Sequence, residues 1–213
     1  MTDQNFDQMR RAMVASQLRT TAVNDPRVVA AMGAVPREAY VPAAHATLAY
    51  IDATLPLGHG RALPAPMVLG RLLTEARVRA TDRALVIGAG SGYAAAVLAQ
   101  LAAAVVALEE EPALIGAAPL PASVTRVAGP LASGWAGGAP YDVILFDGAV
   151  EHVPTAIVAQ LGDGGRIATG IVADGVTRLT IGRKDGGSFG MTSFADAEVP
   201  VLPGFARPRG FRF

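Results

Sequence analysis

The stretch "ALVIGAGSGY" (Ala84–Tyr93) decides the fold class of this 213-residue chain. A short apolar run leads into a glycine-rich loop, and an alanine-rich segment typical of a helix follows. Glycines between a buried strand and a helix allow a tight turn and let a ligand approach the free N–H groups at the helix start. The stretch therefore predicts a Rossmann-like nucleoside-binding loop. Its candidate cofactor-binding residues are Gly88, Ala89, Gly90, Ser91 and Gly92.

An acidic residue at the end of the next predicted strand extends this interpretation. Glu109 lies 21 residues after Gly88, a spacing that suits a carboxylate accepting hydrogen bonds from a ribose diol. The loop has the pattern G-x-G-x-G, and Tyr93 stands where the dinucleotide pattern places its third glycine. The spacing favours S-adenosylmethionine, which has no pyrophosphate, and leaves an NAD-dependent dehydrogenase as the last alternative.

Further apolar runs predict an α/β sheet around this loop. The segments "AVVALEEE", "SVTRVA" and "YDVILFDGA" are predicted strands, and "VPTAIVAQLG" is a predicted short helix. Continuous apolar strands that alternate with helices are typical of a mostly parallel sheet. The last two strands flank "KDGGS" and are predicted to form an antiparallel hairpin at the sheet edge. Asp147 is predicted to end its strand at the carboxyl edge, where capping of the next helix is favoured over contact with the cofactor.

The first part of the chain is predicted to be helical. Residues 1–80 form one wall of a substrate cleft in this interpretation, and residues 81–213 form the Rossmann-like core of the same domain. Asp25 followed by Pro26 is a strong helix start, because Asp accepts hydrogen bonds from free N–H groups and Pro fits the first helical position. A further helix is predicted over "PMVLGRLLTEA".

The composition excludes several classes of protein. Lys+Arg and Asp+Glu both number 18, so no strong positive field favours nucleic acid. There is no cysteine, which excludes disulfides and thiolate metal sites, and the three histidines lack metal-ligand spacing, so no metal is expected. No apolar run is long enough to span a membrane, and the first residues lack a secretory signal pattern. We expect a cytoplasmic protein, with its oligomeric state open.

Several motifs carry a resemblance to a known family. "DPRVVAAMGAVPREAYVP", "AYIDATLPLGHG", "ALVIGAGSGYAAAVLAQL" and "YDVILFDGA" stand in the order and spacing of the protein-L-isoaspartate O-methyltransferase family, which the chain resembles over most of its length. The resemblance implies a class I S-adenosylmethionine-dependent methyltransferase fold. It implies methyl transfer to the free α-carboxyl of an isoaspartyl residue in a protein or peptide. It further implies that the glycine loop holds the methionine and ribose parts of the cofactor, that Glu109 binds the ribose hydroxyls, and that Asp52 and residues 57–60 line the peptide side.

The chain departs from the family pattern at polar positions. The family's Thr and Ser after Gly-His-Gly align with Ala62 and Pro64, and a usual Glu before the glycine loop is Val86. The adenine-contacting Gly-Asp-Gly aligns with "GPL" at residues 129–131, so its carboxylate is missing. The segment "PALIGAAPLPAS" is short and contains two prolines, so a full crossover helix is not expected there. These losses predict weaker cofactor binding and weaker substrate selectivity.

His59 and Asp52 are the candidate catalytic residues. His59, between two glycines, either transfers a proton or holds its loop by a hydrogen bond to the backbone. The second role is favoured, because a carboxylate nucleophile is already ionised and needs no base. Three functions remain open: an isoaspartyl methyltransferase, a methyltransferase with another acceptor, and a catalytically degenerate relative that binds a partner.

Overall fold

The computed structural model describes residues 5–207. Nine strands lie within this range, and seven of them form one sheet in the order β5-β4-β3-β6-β7-β8-β9. In chain order they are β1 (Leu55–Gly58), β2 (Arg61–Leu63), β3 (Arg83–Ile87), β4 (Ala104–Glu109), β5 (Val124–Ala128), β6 (Tyr141–Val150), β7 (Leu161–Ala173), β8 (Val176–Asp185) and β9 (Ser188–Asp196).

The large sheet has the predicted arrangement. Strands β5, β4, β3, β6 and β7 run parallel, while β8 and β9 are antiparallel to their neighbours and end the sheet. The first strand of the sheet along the chain, β3, lies near its centre. Strands β4 and β5 are added on one side of β3, and β6 to β9 are added on the other side. The carboxyl ends of β3, β4 and β6 therefore meet where the strand order reverses, which is where open α/β sheets bind ligands.

Five α-helices accompany the sheet in the described residues: α1 (Phe6–Met13), α2 (Pro26–Ala34), α3 (Pro66–Ala76), α4 (Tyr93–Leu98) and α5 (Thr155–Val158). The predicted helix start at Asp25 is confirmed, since its side chain accepts a hydrogen bond from the N–H of Arg27 at 2.8 Å. The predicted helix over residues 66–76 is confirmed as α3. The predicted extent of α5 is wrong, because the helix ends at Val158 and Leu161 already pairs with Tyr141 at the start of β7. No crossover helix lies between β4 and β5, as predicted from the two prolines.

A small hairpin corrects the prediction that the first 80 residues are helical. Strands β1 and β2 pair in an antiparallel ladder and turn at residues 58–60, which all have positive φ. Leucines at alternate positions of the hairpin, Leu55, Leu57 and Leu63, are buried. The period-two burial holds this segment on the core as a strand pair, and the hairpin lies over the carboxyl edge of the sheet.

The chain's C-terminal part closes the same edge. Residues 199–205 follow β9 and lie beside β6, where Ala149 donates to Pro200 O and accepts from Leu202 N, both at 2.8 Å. Leu202 and Phe205 are buried, and the Phe205 ring packs edge-on against Phe146 at 5.4 Å. The segment after β9 thus docks on its own domain as far as residue 207, and residues 208–213 lie outside the described residues.

Both faces of the sheet are covered by apolar side chains. Ala84 and Val86 of β3 face a core that includes α1, α2 and α3, while Leu85 and Ile87 face the core that holds Phe205. The helical N-terminal segment is therefore packed on the sheet beside the glycine loop. None of the helices within residues 5–207 has the length and apolar character needed to cross a bilayer.

Candidate active site

The glycine loop leaves β3 at the centre of the sheet's carboxyl edge. Gly88 N and Ala89 N both donate to Leu108 O of the neighbouring strand at 3.0 Å, which fixes the loop against β4. Gly88, Gly90 and Gly92 have φ of 73°, 55° and 105°, a region that side chains with a Cβ rarely adopt. The local structure therefore requires glycine at these three positions, as the sequence pattern predicted.

Glu109 is the buried acid of the site. Its Oε1 accepts from Glu110 N and Glu111 N at 3.0 Å each and from Arg61 Nη1 at 3.1 Å, and its Oε2 accepts from Gly90 N at 2.6 Å. The side chain is only 3% exposed. The single bond to Oε2 leaves that oxygen with acceptor capacity for one further donor. Glu109 thus joins the glycine loop to the end of β4 and can still receive a ligand hydroxyl.

Arg61 fills the space between Glu109 and the glycine loop. It is the first residue of β2, and besides the ion pair with Glu109 it donates from Nη2 to Gly88 O at 2.9 Å. Its side chain is 6% exposed. A Cβ built on Gly88 would lie 2.8 Å from Arg61 Nη2, so the guanidinium occupies the room that this glycine leaves open. The sequence analysis did not single out Arg61.

Asp147 lies inside β6, and the prediction that it ends its strand and caps the next helix is wrong. β6 continues to Val150, and α5 starts after Pro154 without a side-chain cap. The register between β6 and β7 shifts between Leu145 and Ala149, so Asp147 stands in a bulge. Bulges re-aim side chains and are frequent beside active sites.

The Asp147 carboxyl is unusually placed for an acid. It is buried and makes no hydrogen bond within residues 5–207. Burial raises its pKa to about 7, while the charges of Arg37 and Arg61 lower the pKa and that of Glu109 raises it further. Two carboxyl groups, Asp147 and Glu109, and two guanidinium groups, Arg37 and Arg61, therefore interact at this edge of the sheet. With a pKa of about 7, Asp147 changes its charge near neutral pH.

Arg37 is a second arginine that the sequence analysis did not single out. It is fully buried and donates from Nε to Ala49 O and from Nη2 to Pro64 O, both at 2.7 Å. Its guanidinium lies 4.7 Å from the centre of the Tyr93 ring, and burial lowers its pKa. Arg37 Nη1 and Tyr93 Oη have no hydrogen-bond partner within the described part of the chain. Arg37 also holds Pro64, the residue that the sequence analysis aligned with the family serine.

Ser91 and Tyr40 connect the glycine loop to the helical N-terminal segment. Ser91 Oγ donates to Tyr40 O at 2.6 Å, and the Tyr40 ring packs edge-on against Tyr93 at 5.7 Å. The serine hydroxyl is therefore engaged by the protein in this conformation. The bond fixes the loop against the wall of the cleft.

The two predicted catalytic residues are exposed, His59 in the turn of the hairpin and Asp52 just before β1. The His59 side chain is 54% exposed, has left-handed backbone with φ of 52°, and places Nδ1 3.8 Å from Glu111 Oε1. The favoured role of His59, a hydrogen bond that holds the loop backbone, is not found among residues 5–207, and the half-exposed side chain lines a cavity together with Tyr40 and Ser91. Asp52 is exposed and accepts from Met67 N in the first turn of α3 at 3.2 Å. Neither side chain is placed next to Glu109 by a contact.

The free space at the site is small in this conformation. The pocket between the glycine loop and β5, lined by Glu109, Leu114, Leu120 and Arg126, has a volume of about 10 Å³. A cavity of about 190 Å³ lies beside it, between Tyr40, Leu57, His59, Ser91 and residues 113–118. A groove of about 810 Å³ lies elsewhere, between α1 and α2. No group of three or more metal-ligating side chains was found in the described residues.

Arg61 and Arg37 had weak signals in the sequence. Arg61 is the only charged side chain in the short segment "GRALP". In "VPREAY", Arg37 stands beside Glu38, whose carboxylate accepts a hydrogen bond from the Tyr50 hydroxyl. A charged residue in such a segment needs a buried partner. The partner of Arg61 is 48 residues away, and no local pattern links the two.

Comparisons with known proteins agree with this architecture. The family model described as "Protein-L-isoaspartate(D-aspartate) O-methyltransferase (PCMT)" matches residues 8–201. "Protein-L-isoaspartate O-methyltransferase 1" of Rhodopseudomonas palustris is 42% identical over 176 residues, which are 80% of this chain and 72% of the relative. The corresponding protein of Methylorubrum populi is 37% identical over 209 residues, 93% and 97% of the two chains.

A solved structure extends the comparison to the fold. A putative protein-L-isoaspartate O-methyltransferase from Plasmodium falciparum, in complex with S-adenosyl-L-homocysteine, superposes with a TM-score of 0.76 at 18% identity. The match covers 94% of this chain and 99% of that structure. At this identity the likeness establishes the fold alone. Together with the family model and the two relatives, it leads to one conclusion: the chain belongs to the protein-L-isoaspartate O-methyltransferase family.

Proposed function

We propose that the protein transfers a methyl group from S-adenosylmethionine to the free α-carboxyl of L-isoaspartyl residues in proteins or peptides. The observation that carries the proposal is the junction of the glycine loop with Glu109 at the switch point of the sheet. The family uses S-adenosylmethionine, and the match over residues 8–201 includes the loop, the acid and the hairpin.

The residues at the switch point have the chemical groups that are needed to bind this cofactor. Gly88, Gly90 and Gly92 offer backbone without a Cβ, and Glu109 Oε2 offers a buried acceptor for a ribose hydroxyl. Asp147 adds an acid without a hydrogen-bond partner in the described chain, suited to a positively charged group. When bound, S-adenosylmethionine supplies the methyl group on its sulfonium. Beside Glu109, the pocket between the glycine loop and β5 is lined by the apolar side chains of Leu114, Leu120 and Val127.

The chain's own residues act by orientation and exclusion of water. A carboxylate acceptor is ionised at neutral pH and attacks the methyl carbon without a base, so no proton transfer is needed at His59. Leu57 and Tyr40 border the 190 Å³ cavity and keep water from the transfer path. Arg37 holds the carbonyl of Pro64 and so fixes the loop that borders the acceptor. We assign Asp52 and His59 to the outer, peptide-facing side of the hairpin.

The proposal is tested with a methyl-transfer assay. Purified protein, labelled S-adenosylmethionine and two peptides of the same sequence, one with L-isoaspartyl and one with L-aspartyl, are compared. We expect label only on the isoaspartyl peptide, as a base-labile ester. Label on neither peptide, with measurable cofactor binding, would refute the isoaspartyl acceptor and leave a methyltransferase with another acceptor.

A second candidate function is a binding protein that has lost catalysis. The position of Arg61, which fills the space between the loop and Glu109, favours it, together with the volume of only about 10 Å³ in the pocket between the glycine loop and β5. Calorimetric titration with S-adenosylhomocysteine separates the two candidates. Binding supports the methyltransferase, and no heat at millimolar ligand supports the binding protein.

A further inference from the structure

We propose that Arg61 is an internal ligand of the cofactor site, which leaves Glu109 and Gly88 when the cofactor binds and thereby sets its affinity. The inference rests on the proposed function, because it concerns the same site. It goes beyond that function by assigning cofactor affinity to a residue outside the glycine loop and the acid.

Arg61 occupies hydrogen-bond acceptors of both the glycine loop and Glu109. Its two terminal nitrogens donate to Glu109 Oε1 at 3.1 Å and to Gly88 O at 2.9 Å. These acceptors belong to the two elements, the strand-end acid and the glycine loop, that a nucleoside ligand would use. Glu109 Oε2 is not contacted by Arg61 and stays available for one ligand hydroxyl. A second hydroxyl placed at Glu109 Oε1, or an ammonium placed at Gly88 O, cannot share that space with the guanidinium. Ligand and Arg61 therefore compete for one position.

The way Glu109 is held shows that Arg61 is dispensable for keeping this acid in place. Three backbone N–H groups, from Gly90, Glu110 and Glu111, bond the carboxylate independently of the arginine. Loss of the guanidinium leaves those three bonds intact. Glu109 is thus preorganised for a ligand, and the arginine is an additional, exchangeable donor.

Arg61 also has a route out of the site. It begins β2 directly after the turn of the hairpin, whose residues Gly58, His59 and Gly60 are exposed. The hairpin is a separate two-stranded sheet with a ladder of three residue pairs. A long side chain at the end of such a ladder can swing toward the solvent while the leucines of the hairpin stay buried.

Calorimetric titration with S-adenosylhomocysteine tests the inference on wild type, Arg61→Gln, Arg61→Lys and a control, Arg166→Gln. Arg166 forms the other buried arginine–carboxylate pair, with Asp82 at 2.5 Å, at the opposite end of the parallel strands. Arg61→Gln is expected to bind about tenfold to hundredfold more tightly than wild type, because a hydrogen bond to a charged group no longer has to be broken. The control is expected to keep the wild-type affinity.

Arg61→Lys keeps the charge but cannot donate to both acceptors from one planar fork, so a smaller gain in affinity is expected. This variant carries the test if Arg61→Gln does not fold. Micromolar binding that is equal in wild type and both Arg61 variants overturns the inference and leaves the proposed function standing. No binding by any variant at millimolar ligand overturns both.

Discussion

Replacement of Asp147 by asparagine tests the electrostatics of the site through protein stability. Asp147 is buried in the β6 bulge without a hydrogen-bond partner in residues 5–207, and burial raises its pKa to about 7. In the unfolded chain an aspartate has a pKa of about 4. Between these two values the folded protein holds a proton on Asp147 that the unfolded chain has released. Raising the pH through this interval therefore destabilises the fold.

The size of the effect follows from the distance between the two pKa values. One pH unit corresponds to about 1.4 kcal/mol, so three units amount to about 4 kcal/mol of unfolding free energy. Asparagine is neutral at every pH in this range, so the unfolding free energy of the variant lacks this pH-dependent contribution. The free energy of unfolding of Asp147→Asn, minus that of wild type, is expected to increase by about 4 kcal/mol between pH 4 and pH 8.

Urea unfolding at half-unit pH steps, followed by circular dichroism, measures this difference. The substitution also changes the interactions with Arg37 and Arg61, which shifts the unfolding free energy by an amount that is the same at every pH. That constant difference does not affect the slope of unfolding free energy against pH. The control Asp174→Asn removes a carboxylate at the exposed turn between β7 and β8 and is expected to keep the wild-type slope. Parallel curves for Asp147→Asn and wild type would show that Asp147 is ionised without cost in the fold, and would refute the reasoning.

Three further predictions concern the loop, the hairpin and the C-terminal segment. Gly90→Val is expected to abolish S-adenosylhomocysteine binding, because φ at this position is 55° and a Cβ would lie 3.0 Å from Leu57 of β1. The control in the same calorimetric titration is Gly164→Val, at a glycine that also has positive φ but has open space around it. Ala62→Thr combined with Pro64→Ser is expected to increase isoaspartyl methylation, and unchanged turnover would show that these hydroxyls do not matter. Leu202→Ala is expected to lower the unfolding free energy by about 2–5 kcal/mol, measured in urea.

The parts of the fold that could be predicted from sequence rest on local signals. The apolar run of β3, the loop after it and the acid at the end of β4 lie within 27 residues, and each has its own pattern. The helix start at Asp25 depends on two adjacent residues. The hairpin at residues 55–63 is not visible in the sequence because its strands have four and three residues, too few for a periodic pattern, and because Pro56 and two glycines interrupt the segment.

Predictions for the site failed where a role depends on contacts across the fold. The capping role of Asp147 was inferred from the residues after it, whereas the bulge against β7 depends on a strand that begins 14 residues later. Arg37 bonds Pro64, 27 residues away, and Arg61 bonds Glu109, 48 residues away. Such pairings follow from packing and cannot be derived from spacing within one segment.

The polar residues that the sequence lacks near the turn of the hairpin and the buried charges at Glu109 can be explained together. The sequence analysis aligned Ala62 and Pro64 with hydroxyl-bearing residues of the family, and Arg61, between them and the turn, brings a cation to Glu109. An acid that is buried as deeply as Glu109 requires a positive or hydrogen-bonding partner in every state of the protein. In the structure that partner is Arg61 together with three N–H groups, and in a complex it would be the ligand with the same three. The glycine loop and Glu109 are therefore stable in both states, and cofactor affinity is decided by the hairpin.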